Sequence, residues 1–263
     1  MKLFKDILNV PSNSKEYGDI IYFTEDDFGK LLVIEYGDFR TLNFNSPFEQ
    51  SCMQADQPYK LVHQYTQLML LVLSFIQPSH ITFFGLGGGS LLRTLHHLLP
   101  DCLFKVIELR QKVADIAYEY FAIPKDDKRV GIVVNNALDE INNCESNSTN
   151  IIFSDMYDAY HMIPEQTQKE FLENCSRLLT HDGWLVLNLH NLPKNQPHFY
   201  DLLLESFPTV ITSTNTDNTI LYLSKNRPDC ISTNFETIET AELLLQQEFM
   251  PLLHRLKPNK IRN

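Results

Sequence analysis

Two carboxylates three residues apart, Asp155 and Asp158, leave the end of an apolar run with Tyr157 between them, in Ser154-Asp155-Met156-Tyr157-Asp158. At the mouth of a shared cavity, one carboxylate could take a proton from an amine nucleophile while the other binds a positive charge. The same spacing fits a plainer role, with Asp158 capping the helix that follows or Asp155 in a salt bridge. A second group of residues suits a nucleotide. Ile81-Thr82-Phe83-Phe84 runs into Gly85-Leu86-Gly87-Gly88-Gly89-Ser90, and Glu108 closes the next apolar run, Leu103 to Ile107. A strand, a glycine turn, a helix, a strand and an acid about 20 residues on form the dinucleotide-type fingerprint, in which the acid holds ribose hydroxyls. The turn exposes helix N-terminal N–H groups and a partial positive charge. A tight turn that binds nothing would use the same glycines.

These residues need a parallel sheet to position them. From Ile81 onward, apolar runs at 81–85, 103–108, 130–134, 150–154 and 184–189 alternate with helical patterns at 90–99, 111–121, 137–142, 165–179 and 195–206. That alternation predicts a parallel sheet covered on both faces. In such a sheet the ligand sits outside the carboxyl ends of the strands, where Glu108, Asn135-Asn136-Ala137 and Asp155 all fall. His190 and Asn191 follow the fifth strand and could line the same cavity. The runs 210–213 and 220–223 flank Asn215-Thr216-Asp217-Asn218 as a hairpin, and a hairpin ending a parallel sheet suggests the methyltransferase variant of the doubly wound fold. A closing helix is expected from Ile238 to Leu253, interrupted near Pro251.

Before Ile81 the pattern differs. Strands at 20–27, 31–36 and 39–44 read as a small antiparallel unit with too little apolar content to stand alone. Residues 45–57 read as polar and irregular. Pro58 opens a predicted helix whose apolar positions, Leu61 to Ile76, end at Pro78. The organisation expected is an N-terminal β-strand domain over 1–57 and a Rossmann-like domain over 58–263. Arg93, on the helix after the glycine turn, is expected at the surface or in an ion pair, and Trp184 in the core.

The chain has 263 residues and a formal charge of −11. That charge argues against a nucleic-acid partner and fits a cationic substrate. Five widely spaced cysteines show no metal-ligand spacing, so reduced thiols in a cytoplasmic protein and no metal are expected. The N-terminal stretch does not read as a signal peptide, and the longest apolar run is too short to span a bilayer, so no membrane partner is expected.

The chain resembles the spermidine synthase family, the polyamine aminopropyltransferases, over about residues 17–225. The family's Gly-Gly-Gly-Asp-Gly-Gly looks like Gly85-Leu86-Gly87-Gly88-Gly89-Ser90, with Arg93 in register. Its Val-Glu-Ile-Asp looks like Ile107-Glu108-Leu109-Arg110, and its Asp-Ser-Thr-Asp-Pro looks like Asp155-Met156-Tyr157-Asp158-Ala159. Gln50-Ser51 is similar to the family's cofactor-contacting glutamine. Three departures stand out. The family's acid in the glycine loop, which grips the aminopropyl ammonium, is Gly88 here. The Gly-Asp pair that reads adenine is Asn135-Asn136, although Asn136 can hydrogen-bond adenine through its side-chain oxygen. The Tyr-His-Glu stretch is unmatched, with Tyr59-Lys60-Leu61 and Tyr65 in its place.

The resemblance implies an α/β fold of the S-adenosylmethionine-dependent methyltransferase type behind a small β-domain. It implies aminopropyl transfer from decarboxylated S-adenosylmethionine to an amine such as putrescine, with Asp155 as base, Tyr157 assisting and Asp158 on the amine. Gln50, Gly85, Gly87, Gly88, Gly89, Glu108, Asn136 and Ala137 would hold the donor. A homodimer is expected on the same ground. Two alternatives stay open: methyl transfer from intact S-adenosylmethionine, whose carboxylate glycine N–H groups suit, and a catalytically weak nucleoside-binding homologue.

Overall fold

The computed structural model describes residues 18–46, 48–190 and 198–258. Four antiparallel strands come first: β1 (Asp19–Asp26), β2 (Gly29–Tyr36), β3 (Phe39–Phe44) and β4 (Glu49–Gln54), paired in that order. β4 corrects the expectation that 45–57 is irregular. Glu49-Gln50-Ser51-Cys52-Met53-Gln54 lacks clean alternation because its pairing with β3 slips by one residue, from Asn43↔Glu49 to Leu42↔Ser51. A bulge of this kind hides a strand from a period-two reading.

The short sheet has one covered face. Leu31, Val33, Leu42, Phe44 and Met53 pack against Val113, Ile116 and Phe121, at and just after a helix of the second unit. Each such burial contributes about 1.5–3 kcal/mol. The apolar face is therefore satisfied only by the rest of the chain.

The second unit is an eight-stranded sheet. Its strands are β5 (His80–Phe84), β6 (Leu103–Glu108), β7 (Val130–Val134), β8 (Thr149–Ser154), β9 (Leu179–Leu189), β10 (Thr209–Thr214), β11 (Thr219–Ser224) and β12 (Lys257–Pro258). They lie in the order β12-β10-β11-β9-β8-β5-β6-β7. β5 to β9 are parallel, and β10–β11 is the antiparallel hairpin that the sequence predicts, with β11 paired to β9. Helices α1 (Gln64–Leu70), α2 (Ser90–Leu98), α3 (Gln111–Tyr120), α4 (Ala137–Asn143), α5 (Lys169–Leu178), α6 (Phe199–Ser206) and α7 (Glu236–Leu245) cover it. Two apolar clusters fill the two faces. One gathers α1, α2 and α7 with Phe83, Val106, Phe153 and Trp184. The other gathers α5 and α6 with Phe84, Ile152, Leu185 and Leu187. Alternate residues of β5, Phe83 and Phe84, thus serve opposite faces.

Pro58 does not open a helix; α1 starts at Gln64 and passes into a 3₁₀ turn over Leu71–Ser74. The carbonyls that would have begun the helix are taken by side chains from elsewhere. Arg93 Nε donates to Pro58 O, Thr94 Oγ1 to Tyr59 O at 2.7 Å, and Gln67 Nε2 to Leu61 O at 2.8 Å. The helix expected over 165–179 is a 3₁₀ turn, Pro164–Thr167, then α5 after the extended Gln168. The closing helix breaks at Gln246, whose φ is +48°, rather than at Pro251. The Glu242 carboxylate then accepts the Phe249 and Met250 amides. The expected start of the helix at 195 lies outside the described residues, as does Asn191.

Candidate active site

The ends of β5, β6 and β8 meet at Gly85. A Cβ there would lie 2.6 Å from the Asp155 carbonyl oxygen, and its φ of +94° suits only glycine. The Gly85 amide donates to Ile107 O at 2.9 Å and the Asp155 amide to Phe84 O at 3.1 Å. The turn, the β6 acid and the β8 acid are thereby brought to one edge of the sheet. They open on a cavity of about 890 Å³, bounded on the other side by β4. Of the residues singled out from sequence, Gln50, Gly85, Gly87, Gly89, Glu108, Asn136, Ala137, Asp155, Tyr157 and Asp158 all line it; Gly88, expected among them, is buried behind the turn with its amide on Ser51 Oγ and does not.

Glu108 is almost fully buried and accepts two backbone bonds, from Leu86 N at 2.9 Å and Arg110 N at 3.0 Å. Burial pushes its carboxyl above the ordinary range, and those amides pull the other way. Glu108 therefore fixes the glycine turn as well as facing the cavity. Asn136 is the N-cap of α4, and its Oδ1 accepts the Leu138 amide at 2.9 Å. The oxygen expected to meet an adenine amino group is thus already engaged in capping, a role asparagine fills well.

Asp155 accepts hydrogen bonds at both oxygens, from Asn188 Nδ2 at 2.8 Å and Tyr65 Oη at 3.2 Å. Burial pushes its carboxyl up, while those two donors and the nearby His63 pull it down. Asn188 is itself held by Asn218, whose Nδ2 donates to Asn188 Oδ1 at 2.9 Å. Tyr157 Oη donates to the Asn188 carbonyl at 3.2 Å, and burial, with Asp155 second, pushes its hydroxyl pKa up. Tyr65 is pushed up well above its usual value by burial and by Asp155.

Asp158 departs from the expected pairing. It sits at the exposed rim, and its Oδ1 accepts the Tyr160 and His161 amides, each at 2.7 Å, closing a turn. The plainer capping role is present, although the cap closes a turn rather than a helix. His190 is exposed at the rim.

Arg93 is buried, not on the surface, with no carboxylate partner among the described residues. Its Nη1 donates to Gly88 O at 3.0 Å and Phe121 O at 2.7 Å. It ties the glycine turn to the end of α3 and to Pro58. Burial lowers its pKa to about 10. Gly88 has no room for a side chain: a Cβ would lie 2.8 Å from Ser51 Cβ and 2.9 Å from Phe121 Cδ1.

Sequence reading passed over Asn188, Asn218 and Glu49. Asn188 had a signal, being a lone amide in Leu185-Val186-Leu187-Asn188-Leu189, a strand end that is otherwise apolar and buried. Asn218 and Glu49 had none, because a hairpin turn and a bulged strand are brought here only by folding. Among the described residues no group of three or more His, Cys, Asp or Glu side chains could hold a metal ion, and no helix is long and apolar enough to cross a membrane.

No family model matches the chain. A polyamine aminopropyltransferase of Neisseria meningitidis serogroup A is 31% identical over 182 residues, 68% of this chain and 69% of that protein. Among solved structures, a probable spermidine synthase from Corynebacterium glutamicum superposes with a TM-score of 0.75 at 21% identity, covering 91% of each chain. Human methyltransferase-like protein 13, solved in complex with SAH, superposes with a TM-score of 0.56 at 23% identity, covering 70% of this chain and 90% of that one.

Proposed function

The chain belongs to the polyamine aminopropyltransferase family, and we propose that it transfers the aminopropyl group of decarboxylated S-adenosylmethionine to a small amine such as putrescine. The observation that carries this reading is Asp155, held at both oxygens by Asn188 and Tyr65 beside the glycine turn. The donor's ribose would rest on Glu108 and its sulfonium between the turn and Asp155.

The amine is protonated near neutral pH, with a pKa of about 10 as for a lysine, and must lose a proton to attack. Its nitrogen lone pair then forms a bond to the propyl carbon next to sulfur. The carbon–sulfur bond breaks, its electron pair stays on sulfur, and neutral methylthioadenosine leaves. Asp155 takes the nitrogen's proton. Sulfonium is already a good leaving group, so what the protein supplies is position and exclusion of water. A carboxylate whose pKa is raised by burial is the better base for this step. Tyr157 braces the Asn188 strand end, and Asp158, at the rim, would meet the distal ammonium of the acceptor.

Gly88 favours keeping a second reading. Without an acid there, the turn suits intact S-adenosylmethionine, and methyl transfer would follow the same displacement at the methyl carbon. The proposal places the chain in the cytoplasm, where its five cysteines would stay reduced, and as a homodimer, as the family resemblance implies.

Assay with putrescine and each donor in turn distinguishes the readings. Aminopropyl transfer that Asp155→Asn lowers by roughly 10²–10⁴-fold, with donor binding kept, supports the first. Methyl transfer alone supports the second. No product with either donor would overturn both.

A further inference from the structure

Among the described residues six carboxylates line the cavity: Glu49, Glu108, Asp155, Asp158, Glu165 and Asp217. Against them stands Arg110, already paired with Asp26 at 2.8 Å. A cavity with that balance suits a ligand carrying more than one positive charge. The six acids are not equivalent. Glu108 and Asp155 have both oxygens in hydrogen bonds. Asp158 and Glu165 lie in the segment that follows β8, and Asp217 lies in the β10–β11 turn beyond β9.

Glu49 differs, because it reaches the cavity from the first sheet, on the side of the glycine turn. The bulge in β4 lets Glu49, Gln50 and Ser51, three consecutive residues, all line the cavity, where a regular strand would turn alternate side chains away. Ser51 fixes the distance, since its Oγ accepts the Gly88 amide at 2.8 Å. Glu49 is therefore two residues along the strand from a direct contact with the turn. His63 Nε2 bonds Glu49 Oε1 at 2.8 Å, leaving Oε2 without a partner among the described residues. The side chain is 47% exposed, so a ligand can reach it. The His63 ring stacks 5.7 Å from the Tyr65 ring, whose hydroxyl bonds Asp155. Two carboxylates thus flank Tyr65, Asp155 on the sheet side and Glu49 on the β4 side.

We infer that Glu49, oriented by His63, binds the primary ammonium at the end of the donor's aminopropyl chain. This assignment rests on the aminopropyl-transfer reading. A donor whose ribose lies on Glu108 would run its tail along Gly85 and Gly87, which line the cavity, and β4 is the wall on that side. Position 88 has no space for a carboxylate, and the strand that fills the space supplies one.

Calorimetric titration with three ligands tests the assignment. Methylthioadenosine has no aminopropyl tail, decarboxylated S-adenosylmethionine carries an ammonium tail, and intact S-adenosylmethionine adds a carboxylate beside it. Glu49→Gln should weaken the decarboxylated donor about 10–100-fold, the worth of a hydrogen bond to a charged group. Methylthioadenosine should stay within about twofold, since it makes none of that contact. Glu49→Asp should retain part of the lost affinity, and the preference for the decarboxylated over the intact donor should fall in Glu49→Gln. Equal losses for methylthioadenosine and the decarboxylated donor would mean that Glu49 merely supports the fold, and unchanged affinity for the decarboxylated donor would remove it from the site; either result overturns the inference. Wild-type protein that binds methylthioadenosine but rejects the decarboxylated donor would overturn the aminopropyl reading itself, and this assignment with it.

Discussion

The Gly88 amide donates to Ser51 Oγ at 2.8 Å, joining the glycine turn of one sheet to the last strand of the other. The absence of a side chain at position 88 is what lets that bond form. Ser51 Cβ and the Phe121 ring occupy the space a side chain would need, and Arg93 clamps the Gly88 carbonyl from beneath.

Restoring an acid at position 88 should therefore harm the protein. Gly88→Asp forces Ser51 or Phe121 to move and should cost about 1–3 kcal/mol, as overpacking does. Urea unfolding monitored by circular dichroism reads the change. A Gly88→Asp protein as stable as the parent would show that β4 yields easily.

Arg93 should matter to stability rather than to chemistry. Truncating it to alanine leaves the carbonyls of Pro58, Gly88 and Phe121 without their donors. The expected loss is about 2–4 kcal/mol, since each orphaned buried acceptor costs about 1–3 kcal/mol and relaxation recovers part. Denaturant midpoints measure it. A neutral Arg93→Ala would mean that water satisfies those carbonyls.

Glu108→Ala should weaken methylthioadenosine by about 1.5–3 kcal/mol if the carboxylate holds the ribose. It should also lower stability, because the Leu86 and Arg110 amides lose their acceptor. Calorimetry separates the two effects when titrations run well below the melting transition. Intact affinity in a folded variant would move the ribose elsewhere.

Asp155 gives a pH dependence of defined sign. Its folded pKa is raised, first by burial, so folding favours the protonated form. Its contribution to stability is present below the unfolded pKa and is lost as the pH rises through the folded one. The rate moves the other way, because a base must be ionised. The kcat/KM profile, which reports the free protein, should fall on the acid side with a midpoint above that of a free aspartate, and Asp155→Asn should abolish that limb. A limb with the same midpoint in the variant would assign the titration to another group.

A fragment of residues 1–57 should show no cooperative thermal transition. The covering for Leu31, Val33, Leu42, Phe44 and Met53 comes from Val113, Ile116 and Phe121, which the fragment lacks. A sharp transition by circular dichroism would show that the short sheet folds alone.

The sequence by itself determined the parallel sheet, its closing hairpin and the edge where Glu108 and Asp155 lie. Those features are written in local period: apolar runs of strand length alternating with helical faces, and glycines where only glycine fits. Tertiary structure alone decided what each polar side chain does there. Asp158 and Arg93 change roles because their partners, the Tyr160 and His161 amides and the carbonyls of Pro58, Gly88 and Phe121, are groups that every residue carries. Backbone acceptors and donors leave no mark in residue type. β4, Glu49 and the bond from Gly88 to Ser51 were hidden for a different reason. A bulge breaks the alternation that announces a strand, and only long-range pairing and packing carry that strand onto the glycine turn.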